Sequence, residues 1–494
     1  MNAAEDFAGA FELLEEITGW LAGDGAALTH GELEDELEVR GRELLRTVFQ
    51  EQLDRLSGLE KRGEVVDASG VERRSVESGH SRALSTVFGE VTVTRCAYRQ
   101  RGHANLHPID GQLNLPAEKH SHGLRRRAAL EAARGSFDGA ADAIGRGCGQ
   151  KIGKRQLEAL AASAAVDFDG FYATRVAVAA DPGDVLVLSV DGKGIVMRPG
   201  ALREQTAKAA ASAKLGTRLS KGEKRNRKRM ATVAAVYDAA PVPRTAGQII
   251  RAPDDASGAD PADGPNAVNK WLCASVVDDA ATVITRAFDE AERRDPDHER
   301  TWVALVDGNN HQIDRLFAEA ARRGVDLHVV CDFVHVLEYL WSAAWSFHDE
   351  GDPDAETWVA DKATEVLKGH ATRVAAAIRR KATYHKLSRG QRANADRAAA
   401  YLSNKAHLLD YPTALNEGWP IATGVIEGAC RHLVKDRMDI TGARWGLDGA
   451  EAVLKLRAVR CNDDFDNYWT FHLTQERRRV HQDRYADNVI PTAA

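Results

Sequence analysis

The chain has 494 residues, 44% hydrophobic and 28% charged, a balance that excludes a wholly disordered protein and a length that suits roughly three units of about 100–200 residues. The longest apolar stretches, Asp184 to Val190 and Thr301 to Val306, are strand-sized, so no membrane span is expected where a helix would need ~20 apolar residues. The formal net charge of −7 disfavours a polyanionic partner only on average, because nucleic-acid affinity comes from local basic patches.

The first residues, Met1 to Phe11, are acidic and lack an apolar signal core, which predicts no export. The six cysteines include no Cys-x-x-Cys pair and suit a reducing cytoplasm. Apolar residues at helical spacing (Phe11, Leu14, Ile17, Leu21, then Leu33, Leu37, Leu44, Val48) predict a helical arm over 1–80 that packs or dimerises. Period-two alternation from Arg82 to Arg99 around Gly89-Glu90 predicts a β-hairpin. In the loop beyond it, Cys96, His103, His107, His120 and His122 are too irregularly spaced for a zinc site and are taken as a solvated loop.

Three helical stretches follow between Leu124 and Tyr172, separated by Arg134-Gly135-Ser136 and by Gly145 to Gly149. The last opens with Lys151, Lys154 and Arg155, a helix-turn-helix-like pattern over 81–180 that could enter a DNA groove or could equally be a bundle with a charged rim.

Past the turn at Asp181 to Asp184, the strand Val185 to Met197 carries one carboxylate, Asp191, in an apolar run. A carboxylate buried there requires a cation or hydrogen bonds. Ala231 to Tyr237 gives a second strand, with a third expected near Ile249-Ile250. A helix near Val276 to Arg293 precedes the strand Trp302 to Val306, which ends at Asp307; a helix to Gly324 and the strand Leu327 to Cys331 run into Asp332. This order is RNase H-like: a mixed five-stranded sheet flanked by helices, one acid on its first strand and another ending its fourth. The core is expected over 181–340 and 419–494, interrupted by a helical insertion over 341–418.

Glu427 supplies a third acid from a late helix, with Arg431 and Lys435 expected on its face at successive turns. Three carboxylates suit phosphodiester chemistry, since two Mg²⁺ ions about 3.5–4 Å apart can stabilise the entering and leaving oxygens. Between Ala201 and Met230 stand ten Lys or Arg against two Glu, including Lys221, Lys224, Arg225, Arg227, Lys228 and Arg229. Leaving the Asp191 strand directly, they are read as a grip on the DNA backbone.

These residues resemble the bacterial insertion-sequence transposases of the DDE class, the ISKra-type group, related to the Mutator-like enzymes. The resemblance runs from about Arg82 onward. It is carried by Asn114-Leu115-Pro116, His120 to Arg125, Ser189 to Gly194, Gly222 to Ala231, Val306-Asp307-Gly308, Asp332 to Trp341 and Gly424 to Arg437 with Gly442-Ala443-Arg444-Trp445. It implies Asp191, Asp307 and Glu427 as catalytic metal ligands for two Mg²⁺ ions, with Mn²⁺ able to substitute, and Asp332 and His335 as support for the site or as structural residues. Lys193, Arg431, Lys435 and Arg444, with the two basic regions, would contact DNA. The implied activity is strand cleavage and strand transfer at terminal inverted repeats, into target DNA, by a homodimer on DNA at the bacterial nucleoid. A silent DNA-binding regulator, or a nuclease without strand transfer, are the alternatives.

Overall fold

Helices outweigh strands in this α/β fold, and the computed structural model describes residues 3–176, 180–212, 227–250, 264–440 and 442–492. Two units emerge, one of residues 1–174 with 463–494 and one of 175–462. The stretch expected to close the core, 419–494, is therefore divided, its last part belonging with the N-terminal unit.

In that first unit the helices Ala8–Ala22 and His30–Gly58 form a hairpin. Strands β1 (Ser75–Ser85) and β2 (Glu90–Arg99) pair antiparallel up to Ser85 and Glu90, the first strand beginning at Ser75 rather than at Arg82 where the alternation starts. Leu53 of the long helix packs with Leu84, Val91 and Val93. Gln50 clamps helix to strand, its amide exchanging hydrogen bonds with the Thr92 backbone at 2.7 and 2.9 Å. The histidine-rich loop is held by the backbone: His107 bonds the Cys96 carbonyl at 2.9 Å and His122 that of Asn114 at 2.7 Å.

Three helices, His122–Arg134, Phe137–Cys148 and Lys154–Ala164, enclose Leu124, Ala128, Ile144, Leu157 and Leu160. The expected break at Gly145 falls later. Ser136 caps the middle helix through the Gly139 amide at 3.0 Å, and Ala140, Ile144 and Cys148 bury one face. That burial outweighs the ~0.5–1 kcal/mol each interior glycine costs, and the helix ends only where Gly149 turns left-handed at φ 70°. Lys151 consequently lies in the linker. The C-terminal helix Phe465–Val480 completes the unit, its buried Glu476 accepting Arg125 at 2.6 Å.

The second unit holds a five-stranded mixed sheet of β3 (Val185–Val196), β4 (Lys228–Ala239), β5 (Ala267–Ser275), β6 (Trp302–Val306) and β7 (Leu327–Cys331), in the order β5-β4-β3-β6-β7. The β3–β4 and β4–β5 pairs are antiparallel; β3–β6 and β6–β7 are parallel. Residues 231–239 of β4 are buried without alternation, which requires cover on both faces. Two helical pairs that contact the sheet supply it: Ala280–Arg294 with Asn310–Arg323, and Gly424–Lys435 with Leu447–Cys461.

The third strand is not at Ile249-Ile250. Thr245 and Gln248 form a capping box there, the Gln248 side chain accepting the Thr245 amide at 2.8 Å, and this closes a helical turn over Ala246–Ile249. The strand is Ala267–Ser275, whose first four residues are not buried and mix apolar with polar side chains, hiding its period in the sequence. The Asp- and Gly-rich stretch Pro253 to Pro265 lies mostly outside the described residues. Within 341–418 the described residues form the helices Pro353–Leu367, Ala371–Tyr384, Ala393–Asn404 and Tyr411–Asn416. No helix among the described residues is long and apolar enough to cross a membrane.

Candidate metal centre

Strand register places the first two predicted acids side by side. β3 and β6 pair from Leu186 with Trp302 to Ser189 with Leu305, and two residues further along each strand stand Asp191 and Asp307. β6 and β7 pair up to Val306 with Cys331, and the next residues are Asp307 and Asp332. Asp191, midway along β3, is thus level with Asp307 and Asp332, which follow the carboxyl ends of β6 and β7, on neighbouring strands about 4.8 Å apart. Local bonds fix them. Asp307 Oδ1 accepts the Asn309 amide at 2.8 Å, and Asp332 caps the helix Phe333–Ala344 through the Val334 amide at 2.9 Å.

One short segment brings Glu427 to this row. Thr423 Oγ1 donates to Asp332 Oδ2 at 2.5 Å. Cys430 Sγ donates to Asp191 Oδ2 at 3.2 Å. Glu427, four residues after the first contact and three before the second, rides on the helix Gly424–Ala429 between them. Burial, then the charges of Asp191 and Glu427, push the Cys430 thiol far up; it remains a donor.

His335 follows Asp332 by one helical turn. Ligand atoms of Asp332, His335 and Glu427 lie within 4.8 Å of one another, the only such trio of His, Cys, Asp or Glu among the described residues. Asp191 and Asp307 stand outside a group that tight. His335 Nδ1 is buried with no hydrogen-bond partner, and Asp332 Oδ2 stands 3.7 Å away, too far for a hydrogen bond. The Asp332 carboxylate, with Glu338 and Asp307 adding, raises the His335 pKa to about 8. An unpartnered ring nitrogen facing two carboxylates fits a divalent cation. Asp191 and Asp307, outside that trio, offer the carboxylate oxygens that hard cations such as Mg²⁺ prefer, and imidazole suits Mn²⁺ as well.

Gly308 completes the wall. Its φ is 96°, and a Cβ there would stand 3.0 Å from the Tyr401 ring, whose hydroxyl reaches the Asp307 carbonyl at 3.4 Å. Tyr339 stacks on Tyr401 with ring centres 4.1 Å apart.

The predicted cations divide. Lys193 is exposed two residues beyond Asp191. Arg431 and Lys435 are also exposed, but the helix widens to a π-helix over Cys430–Lys435, so its i→i+5 bonding ends the expected stacking of every fourth residue over Glu427. Arg431 leans to Asp436 at 3.8 Å. Arg444 is exposed beside Trp445, whose amide bonds the Val196 carbonyl at 3.1 Å and ties the segment to β3. Arg227 and Lys228 lead into β4, whereas Arg229 is engaged by the Val276 carbonyl at 2.7 Å. Lys221, Lys224 and Arg225 lie outside the described residues. In the other unit Lys151, Lys154 and Arg155 are all exposed, Lys154 paired with Asp138 at 2.5 Å.

Sequence reasoning passed over Thr423, Cys430 and Tyr401. A threonine and a cysteine flanking a predicted acid on one helix could have signalled the first two; nothing local marks Tyr401, 94 residues from Asp307. No known family model matches the chain, and no curated protein matches it significantly.

Proposed function

We propose that the protein is a DDE-type DNA transposase with an RNase H-like core, catalysing metal-dependent strand cleavage and strand transfer at the ends of an insertion sequence. One observation carries the reading: Asp191, Asp307 and Asp332 share one level of the parallel strands, and the segment bearing Glu427 is bonded at one side to Asp332 and at the other to Asp191.

In this reading Asp191, Asp307 and Glu427 hold two Mg²⁺ ions, for which Mn²⁺ substitutes, and Asp332 with His335 supports them. Bound there, the metal ions would stabilise the attacking and departing oxygens of an in-line displacement at phosphorus. The chain's own part is placement. Thr423 orients the Asp332 carboxylate, the Cys430 thiol holds one Asp191 oxygen, and Tyr401 with Gly308 fixes the backbone after Asp307. Lys193, Arg431, Lys435 and Arg444 would take phosphates of the bound DNA, while the basic run with Arg227 and Lys228 adds affinity for any sequence. The helix Lys154–Ala164, with Lys154 and Arg155 exposed at its start, would read a groove of the terminal repeats. A homodimer on double-stranded DNA would bring two element ends together.

The test is cleavage of a labelled duplex carrying the element end. Asp191→Asn, Asp307→Asn and Glu427→Gln should each abolish Mg²⁺-dependent nicking and retain DNA binding. Undiminished nicking in any one removes that residue from the mechanism.

A further inference from the structure

Asp332, His335 and Glu427 offer a metal a nitrogen as well as oxygens. Their ligand atoms lie within 4.8 Å of one another, and Asp191 and Asp307 stand outside that group. Asp332 is fully buried, and His335 is its only ion partner among the described residues; a buried charge is paired or coordinates a metal. The pairing is incomplete. His335 Nδ1 stands 3.7 Å from Asp332 Oδ2, is buried and makes no hydrogen bond.

We infer that Asp332, His335 and Glu427 bind a single zinc-class ion, and that this ion silences the proposed chemistry by taking Glu427 away from Asp191 and Asp307. The binding stands on the geometry of the trio; the silencing rests on the function proposed above. Zinc held tetrahedrally by nitrogen and carboxylate oxygen at about 2.0–2.2 Å separates its ligand atoms by roughly 3.3–3.5 Å. The 3.7 Å between Asp332 and His335 is close to that spacing. One helical turn sets it, since Asp332 caps the helix Phe333–Ala344 and His335 is its third residue. Thr423 Oγ1 donates to the same Asp332 oxygen, the kind of bond that orients a ligating carboxylate. Glu427 is exposed, so its side chain can swing to close the remaining gap, and a water would fill the fourth position.

The imidazole decides the metal. Nitrogen donors suit zinc, copper, nickel and iron, whereas Mg²⁺ prefers oxygen, and zinc outranks Mn²⁺ at a mixed site. Zinc and Mg²⁺ therefore compete at this end of the sheet for one carboxylate, that of Glu427.

Zinc binding is measured on the full chain without DNA, by competition with a chromophoric chelator and with Co²⁺ as the coloured probe of the same site. One ion per chain is expected, with the strong visible absorption of four-coordinate Co²⁺. His335→Ala and Glu427→Gln should each weaken zinc by more than about tenfold, and Thr423→Val by about tenfold. Circular dichroism checks the fold of each variant, and the exposed Glu427 can be changed without loss of packing. Asp191→Asn with Asp307→Asn should keep the zinc. Zinc bound no tighter than Mg²⁺, zinc unmoved by His335→Ala and Glu427→Gln, or zinc lost with Asp191 and Asp307 would overturn the proposal. With the site filled, Mg²⁺-dependent nicking should stop, and a zinc-selective chelator should restore it. Nicking that continues refutes the silencing; a chain that never nicks counts against the proposed function, and the silencing with it, but not against the zinc site.

Discussion

Replacing Asp332 by Asn probes the cluster at its most buried member. The Asp332 side chain is fully buried; it accepts the Val334 amide at 2.9 Å and the Thr423 hydroxyl at 2.5 Å, and stands 3.7 Å from His335 Nδ1. Asparagine fits the same space and is a good helix cap, but its single carbonyl oxygen keeps one of those two bonds. Leaving the other donor unsatisfied costs about 1–3 kcal/mol, enough to lower the unfolding midpoint and too little to unfold the domain. The larger effect is electrostatic. His335 loses the carboxylate that raises its pKa to about 8 and should return toward the ordinary 6.5. At pH 7 its protonated fraction then falls from about 90% to about a quarter. The sign follows: the ion pair stabilises the fold fully below the unfolded pKa, and that contribution is lost as pH rises through the folded value. Because the imidazole is 35% exposed, solvent screening makes the titration a better readout than stability. Ring resonances followed by NMR across pH 5–9 would measure it, and a His335 pKa still near 8 in Asp332→Asn would refute the reasoning.

The same protonation sets metal affinity. If His335 contributes its ring nitrogen, Mn²⁺ binding by isothermal titration should strengthen as pH rises toward 8 and level off beyond it; a flat profile removes His335 from the ligand set. Glu319, held down to about 2 by hydrogen bonds from Arg322 and Arg323, stabilises the fold above its ordinary pKa, and that contribution is lost as pH falls through about 2. Glu319→Gln should therefore cost about 2 kcal/mol in urea unfolding at pH 7, with the gap from the parent narrowing in acid. Neutralising Lys221, Lys224, Arg225, Arg227 and Lys228 should flatten the salt dependence of DNA binding by ~0.9 per lost phosphate contact. Arg229→Gln, which removes the bond to Val276, should instead lower stability and leave the slope alone.

The acid-bearing strands were legible because burial on both faces writes an unbroken apolar run, so a carboxylate at its end stands out, as at Asp191 and Asp307. β5 was not, since its first residues, Ala267 to Lys270, put two apolar before two polar side chains and show no alternation, while the capping box at Thr245 imitates a strand only by its two isoleucines. Glu427 was found by composition, but the meeting of its helix with Asp191 and Asp332 rests on contacts between residues 239 and 91 apart, which no local pattern encodes. The π-helix after it went unforeseen for a similar reason: i→i+5 bonding depends on what the helix packs against, and sequence periodicity assumes regular turns. The final helix, Phe465–Val480, reads as amphipathic in either unit; its assignment rests on the buried Arg125–Glu476 pair, partners 351 residues apart.

Anomalous diffraction from crystals soaked in Mn²⁺ would test the convergence of the acids most directly. Two peaks about 3.5–4 Å apart, ligated by Asp191, Asp307 and Glu427, are the expected result. Peaks absent from this end of the sheet, or an ion held by other residues with Asp191 and Asp307 left unligated, would contradict it.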